Sequence, residues 1–207
     1  MTDMRTVEKI EHGSSTARRV DLNSDVCRRL ASRYIALDTE TTGLDPEKDR
    51  IVELGAVLFE KGIPTNTFRS YVNPGIEISE EVSAINHISN ELLQTAPAEK
   101  LIYPQLIRFL GDAIDGETMI CGHVAAFDMS FLCRALDSMG ISSQFQFVDT
   151  RQLATKIPEL KHHGLGAVVE YFRVSQGNAH HAEEDALTSG RILWEMLARN
   201  MIVGTEE

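Results

Sequence analysis

Tyr34-Ile35-Ala36-Leu37-Asp38-Thr39-Glu40-Thr41-Thr42-Gly43-Leu44 is the stretch whose reading decides the fold. Tyr34 to Asp38 reads as a short apolar strand that runs straight into a carboxylate. Glu40 follows two positions on, and in extended backbone residues two apart point to the same face. Two carboxylates side by side at a buried strand end repel each other. A divalent cation between them removes that repulsion, and hard oxygen donors suit magnesium or manganese. The other reading is a solvated Asp/Glu turn after an edge strand. Thr41-Thr42-Gly43, which reads as a tight backbone turn directly after the pair, favours the cation.

Outward from this stretch, Ile51 to Phe59 forms a second strand, and Lys61-Gly62 turns the chain into a third, Thr65 to Val72, ending at Asn73-Pro74-Gly75. Two strands joined by a short Gly turn read as an antiparallel hairpin. Ser79 caps a short helical stretch. Helices are expected over about 98–111 and 126–139, with a strand at Thr118–Cys121 between them and a fifth strand at Phe147–Asp149. The segment 182–199 is an amphipathic helix carrying Leu187, Ile192, Leu193, Trp194 and Leu197. Three strands followed by alternating helix and strand predict an α/β fold, a mixed five-stranded sheet flanked by helices. Residues 33–207 make up this domain. Residues 1–32 are expected as an N-terminal extension, partly helical or flexible: Gly13-Ser14-Ser15-Thr16 reads as a breaker, and a short helix from Asn23 or Ser24 places Val26 and Leu30 on one face.

The chain has 207 residues, 43% hydrophobic and 25% charged, enough for one globular domain with a real core. No window approaches the roughly 18 apolar residues of a membrane span, and the polar N-terminus lacks a secretory core. A cytoplasmic protein without a membrane partner is expected. Cys27, Cys121 and Cys133 show no CxxC spacing; Cys121 and Cys133 sit among apolar residues and read as buried free thiols in a reducing compartment, not as zinc ligands. The formal net charge of −11 argues against tight non-specific duplex binding, which needs many lysines and arginines on phosphates. It leaves room for a nucleic-acid enzyme with a weak, short footprint, because bound cations supply positive charge where a phosphate sits.

Two further segments carry chemistry. In His123-Val124-Ala125-Ala126-Phe127-Asp128, Asp128 falls in the first turn of a predicted helix, where the dipole favours negative charge. It could equally be an ordinary helical Asp. In His180-His181-Ala182-Glu183-Glu184-Asp185, Asp185 sits early in the last helix and His180 on the loop before it, with Asn178 near the end of that loop. Glu183 and Glu184 read as solvated acids at a helix N-terminus. His162-His163 reads as loop surface, since adjacent side chains diverge on both helix and strand.

Together these segments resemble, in order, the three motifs of the DEDD 3′–5′ exonucleases, the superfamily of the proofreading epsilon subunit of bacterial DNA polymerase III. Asp38-Thr39-Glu40-Thr41-Thr42-Gly43 matches the first. The second has an Asn or His four residues before a Phe-Asp pair, and His123 stands there before Phe127-Asp128. The third, in the histidine subclass, is His-x-Ala-x-x-Asp. His180 and Asp185 fit it, whereas starting from His181 would put Glu183 for the Ala and Ala186 for the Asp. Smaller matches are Asp149-Thr150, whose plain reading is a helix N-cap, and the Leu165–Phe172 helix. Ile85-Asn86-His87-Ile88-Ser89 departs from the family's usual His-Gly-Ile-Thr. The resemblance covers about residues 33–199.

The resemblance implies a ribonuclease-H-like fold and a metal-dependent nuclease that releases nucleoside 5′-monophosphates from single-stranded 3′ ends of DNA, in proofreading or repair. It implies that Asp38, Glu40, Asp128 and Asp185 hold two divalent cations, Mg²⁺ or Mn²⁺, about 3.5–4 Å apart as in two-metal nucleases. By the same resemblance Asp38 bridges the ions, Glu40 and Asp185 serve the nucleophile-side ion, and Asp128 reaches the other. His180 is the expected base, since imidazole titrates near neutral pH. Thr41, Thr42 and Gly43, by backbone and side chain, are candidates to contact the terminal nucleotide, Ile88 and Phe127 to pack on it, and His123 to be structural or to orient it. Alternatives are an exoribonuclease of the same superfamily and a non-catalytic module docked on a polymerase. A third, a phosphatase of free nucleotides, lacks a second Arg/Lys cluster for the terminal phosphate. A DNA polymerase or repair complex is the candidate protein partner. The chain lacks a long C-terminal tether to a polymerase, which leans the expectation toward a stand-alone enzyme.

Overall fold

A computed structural model describes residues 8–177 and 180–199; Asn178 lies outside the described residues. The sheet is mixed and has seven strands: β1 (Lys9–His12), β2 (Ser15–Arg19), β3 (Arg33–Thr41), β4 (Ile51–Glu60), β5 (Ile63–Tyr71), β6 (Met119–Gly122) and β7 (Ser143–Asp149). Their spatial order is β1-β2-β7-β6-β3-β4-β5. Strands β3, β4 and β5 form an antiparallel meander. Strands β6 and β7 then pair parallel on the far side of β3. The helices are α1 (Ser24–Ser32), α2 (Glu80–Asn86), α3 (Asn90–Thr95), α4 (Glu99–Leu110), α5 (Ala125–Ser138), α6 (Thr150–Ala154), α7 (Leu165–Phe172) and α8 (Ala182–Ala198).

The five strands expected from the sequence are β3 to β7. The count of five is corrected to seven by β1 and β2, within the segment read as an extension. Gly13, at φ +52, and Ser14 form a two-residue turn. The hairpin it closes extends the sheet, with β2 parallel to β7. These strands were illegible because Lys9-Ile10-Glu11-His12 and Ser15-Thr16-Ala17-Arg18-Arg19 are short and mostly polar. Only Ile10 and Ala17 enter the core. The helix α1 is where expected, capped by the Asn23 side chain on Asp25 N and Val26 N and anchored by Val26 and Leu30.

Both faces of the sheet are covered. On one, Ile35, Leu37 and Phe147 pack with Leu106 of α4 and Met129 and Leu132 of α5. On the other, Tyr34, Ala36 and Phe59 pack with Leu30 of α1, Val168 of α7 and Ile192 and Leu193 of α8. Alternate residues of β3 therefore point to opposite cores, and full burial of each large side chain contributes about 1.5–3 kcal/mol. This double covering positions the site, because α5 and α8 converge from opposite faces on the end of β3. Cys121 and Cys133 are buried and Cys27 partly so; all three are free thiols.

Candidate active site

Extended geometry does continue past Asp38: β3 runs to Thr41, with a register shift between Glu40 and Thr41. Asp38 and Glu40 thus project to one face and remain partly accessible. Parallel pairing of β3 with β6 extends only over Tyr34–Ala36. Beyond it that edge of β3 has no strand partner, and α5 supplies one. Thr39 donates to Asp128 Oδ1 twice, from its backbone N–H at 2.9 Å and its hydroxyl at 2.8 Å. Asp128 is buried in the first turn of α5, as expected.

From the other face, α8 brings Asp185, buried one turn into the helix. Asp185 Oδ2 accepts the His180 backbone N–H at 3.0 Å, holding His180 at φ +63, and the His180 ring stays exposed. Asp185 Oδ1 is buried with no hydrogen-bond partner among the described residues. Glu40, His180 and Asp185 each bring a ligand atom within 4.8 Å of the other two. Asp38 and Asp128, expected as ligands, are outside that group, as are His181, Glu183 and Glu184; the two glutamates lie half-buried in the first turn of α8.

The electrostatics show how closely these acids converge. Burial, then Asp128, Glu40, Asp185 and Glu53, hold Asp38 well above the usual carboxylate range. Burial and the neighbouring acids Glu53, Asp185 and Asp128 push Glu40 up to about 8. Burial pushes Asp128 up to about 7 against the pull of its Thr39 bonds, and raises Asp185 as well. Such a set is stable as carboxylates only with positive charge among them. The carboxylates of Glu40 and Asp185 with the His180 imidazole, one buried oxygen unpartnered and Asp38 and Asp128 nearby, fit a hard divalent cation.

The other expected contacts are placed differently. Ile88 is 1% exposed, packed with Val52, Ile78 and Leu93, and offers no surface to a nucleotide. The Thr41 hydroxyl donates to Gly43 O (2.6 Å) and the Thr42 hydroxyl to Asp49 Oδ1 (3.1 Å), so both side chains hold the turn together and only its backbone is free to meet a ligand. Phe127 is partly exposed and tilted against Phe131. The His123 Nδ1 lies 3.0 Å from Thr150 Oγ1, its Nε2 is buried without a hydrogen-bond partner among the described residues, and burial pushes its pKa down to about 4, which favours the neutral ring. Asp149 caps α6 as expected, on Arg151 N and Gln152 N. Its Oδ1 also accepts Val124 N–H at 3.1 Å, tying β7 to the start of α5.

Sequence reasoning missed Glu53 and Arg69. Glu53 is fully buried on β4, and Arg69 Nε of β5 meets its Oε1 at 2.9 Å. The available signal was a lone Glu in the otherwise apolar run Ile51 to Phe59, since a fully buried carboxylate needs partners.

Residues 35–193 match the family model described as exonuclease. This chain belongs to the exonuclease family. It is 32% identical over 160 residues to the DNA polymerase III PolC-type of Thermotoga maritima, covering 77% of this chain and 11% of that protein. It is 30% identical over 176 residues to the PolC-type polymerase of Caldanaerobacter subterraneus subsp. tengcongensis, covering 84% and 12%. The chain thus spans about an eighth of the length of these relatives. Among solved structures, the nuclease domain of 3′hExo, a DEDDh family member bound to rAMP, superposes with a TM-score of 0.71 at 18% identity, over 86% of this chain and 97% of that one. Exonuclease X in complex with 5′-overhanging duplex DNA gives 0.62 at 21%, over 81% and 91%. These likenesses establish the ribonuclease-H-like fold of the family. Among the described residues no helix is long and apolar enough to cross a membrane.

Proposed function

We propose that this chain is a metal-dependent 3′–5′ exonuclease that removes nucleoside 5′-monophosphates one at a time from 3′ ends of DNA. The observation that carries the reading is the meeting of Glu40 and Asp185, from β3 and α8, with the His180 ring, and the closeness of Asp38 and Asp128, whose charges act on each other and on these acids. These four carboxylates would hold two divalent cations, magnesium or manganese. When bound, the cations supply a lowered pKa for the attacking water and offset charge on the phosphate and leaving oxygen. His180, exposed on its loop, takes the proton of the attacking water on a ring nitrogen. Thr39 holds Asp128, and the Asp185 carboxylate holds the His180 backbone, so the protein fixes its acids before substrate arrives. The Thr41-Thr42-Gly43 backbone and the Phe127 ring are the surfaces left to receive the terminal nucleotide.

The polymerase relatives support DNA as substrate and a DNA polymerase or repair complex as partner. With a net charge of −11, the strand is held at its end and not along a duplex.

The test is a time course on 5′-labelled single-stranded 20-mers of DNA and RNA in magnesium, manganese and EDTA. A one-nucleotide ladder from the 3′ end, absent in EDTA and faster on DNA, is expected. Asp38→Ala should abolish it. His180→Ala should slow it by about 10²–10⁴-fold while His181→Ala leaves it nearly unchanged. A faster RNA ladder would move the reading to an exoribonuclease. A fully active Asp38→Ala protein would end the metal assignment.

A further inference from the structure

A fifth carboxylate lies on the same face of the sheet as Asp38 and Glu40. In register, Asp38 faces Gly55 and Glu40 faces Glu53 across β3 and β4. Gly55 in turn faces Arg69, and Glu53 faces Tyr71, across β4 and β5. Directly paired residues share a face, so two rows cross the sheet there: Asp38-Gly55-Arg69 and Glu40-Glu53-Tyr71. The first turn of α8 is seated on these rows. A Cβ at Gly55 would fall 2.1 Å from the Ala182 carbonyl carbon and 2.2 Å from Glu183 N. Beside that contact, Glu53 Oε2 accepts the Ala182 backbone N–H at 3.3 Å.

Both carboxylate oxygens of Glu53 therefore have partners, Arg69 on Oε1 and α8 on Oε2. The Arg69 guanidinium is itself held, by the Tyr71 hydroxyl at 3.0 Å and with its carbon 5.4 Å from the ring centroid. The Ala182 N–H is one of the donors a helix leaves unsatisfied at its start, and the α8 N-cap residue, His181, makes no side-chain cap. A carboxylate from β4 fills that place, with the charge preferred at a helix N-terminus.

We propose that Glu53, oriented by Arg69, is a positioning residue that sets the seat of α8 on β3 and β4. It thereby fixes Asp185 and His180 relative to Asp38 and Glu40. The proposal rests on the nuclease reading for its consequence but not for its geometry. Asp185 is three residues beyond Ala182, on the same turn, so any displacement of Ala182 displaces Asp185. Glu53 does not itself touch substrate, and its paired oxygens distinguish it from the four candidate metal ligands.

The test compares wild type with Glu53→Ala and with the double variant Glu53→Met/Arg69→Met. The double variant replaces the buried Glu53 and its exposed partner Arg69 by apolar side chains, so that no unpaired charge is left in the interior and the fold is kept while the anchor is removed. Three quantities are read: Mn²⁺ affinity by calorimetry without DNA, amide hydrogen exchange over residues 182–186, and kcat and KM on a DNA 20-mer. Both variants should bind Mn²⁺ about tenfold or more weakly, exchange faster over 182–186, and lose kcat with KM for DNA within about twofold. A purely structural role would lower the folded fraction and leave the Mn²⁺ affinity of the folded molecules unchanged. A double variant with native Tm, native Mn²⁺ affinity and native exchange at 182–186 would overturn the proposal. If instead exchange and Mn²⁺ affinity shift as expected while wild type degrades no 3′ end, the positioning role stands and the nuclease reading falls.

Discussion

Val124 holds φ 67 and ψ 38, the left-handed region, at the N-cap of α5. A β-branched residue is a genuine outlier there, and Val has no side-chain oxygen to cap the helix. The position lies between His123 and the helix that carries Asp128, with its N–H fixed by Asp149. Strain of this kind persists where the surroundings over-determine it, and it clusters at functional sites. Asparagine tolerates this conformation and caps helices. Val124→Asn should therefore stabilise the protein by about 1 kcal/mol, read as a raised urea midpoint with unchanged slope; a lowered midpoint would show that Val124 packing outweighs its backbone strain. At this scale the four carboxylates and His180 were legible as candidates, because their spacing within each motif is local, and the structure brings ligand atoms of Glu40, Asp185 and His180 together. What the sequence could not show is that the Thr41 and Thr42 hydroxyls are taken up by Gly43 and Asp49 and that Ile88 is buried in the Val52-Ile78-Leu93 cluster.

Among elements, α8 is seated on β4 backbone against backbone. Gly55 has no side chain where α8 begins, and the helix backbone occupies the space a Cβ would need. Gly55→Ala must lift the first turn of α8 or bend β4, and overpacking of this kind costs about 1–3 kcal/mol. The expected result is a lower urea midpoint together with weaker Mn²⁺ binding, since Asp185 rides on the lifted turn. A variant as stable as wild type with undiminished Mn²⁺ affinity would show that the contact relaxes without moving the site. The end of β6 at Gly122 has the matching role for α5. It leaves the β3 edge open so that Asp128, not another strand, receives Thr39.

For the whole molecule, charge decides how stability follows pH. The folded-state pKa values of Asp38, Glu40 and Asp128 lie above their unfolded values of about 4. Without a cation, the folded protein therefore holds more protons than the unfolded chain from about pH 4 up to about 7 for Asp128 and about 8 for Glu40. Stability is fullest below that window and falls as pH rises through it. In EDTA the urea midpoint should be lower at pH 8.5 than at pH 5.5, and added magnesium or manganese should remove most of the difference. A midpoint that rises with pH in EDTA would mean the acids are compensated by something other than a cation. The β1–β2 hairpin also acts at this scale, since it covers the outer edge of β7 and puts Ile10 and Ala17 into the core. A chain beginning at Asp21 should melt lower and associate at high concentration through the bared edge; an equally stable, monomeric truncated chain would make the hairpin dispensable.

The sequence by itself determined the elements whose signals are local. These are the apolar strand ending in Asp38, the β4–β5 hairpin, the caps at Asn23, Ser79 and Asp149, and the order and spacing of the acids in the three motifs. Tertiary structure alone decided what depends on residues far apart in the chain. It paired Glu53 with Arg69 and then with Ala182, more than a hundred residues later in sequence. It drew the polar segments of β1 and β2 into the sheet, and it turned Ile88 into a core residue. The physical reason is the same in each case: backbone propensity and periodicity act over a few residues, whereas burial and the pairing of a buried charge are settled only when distant elements pack.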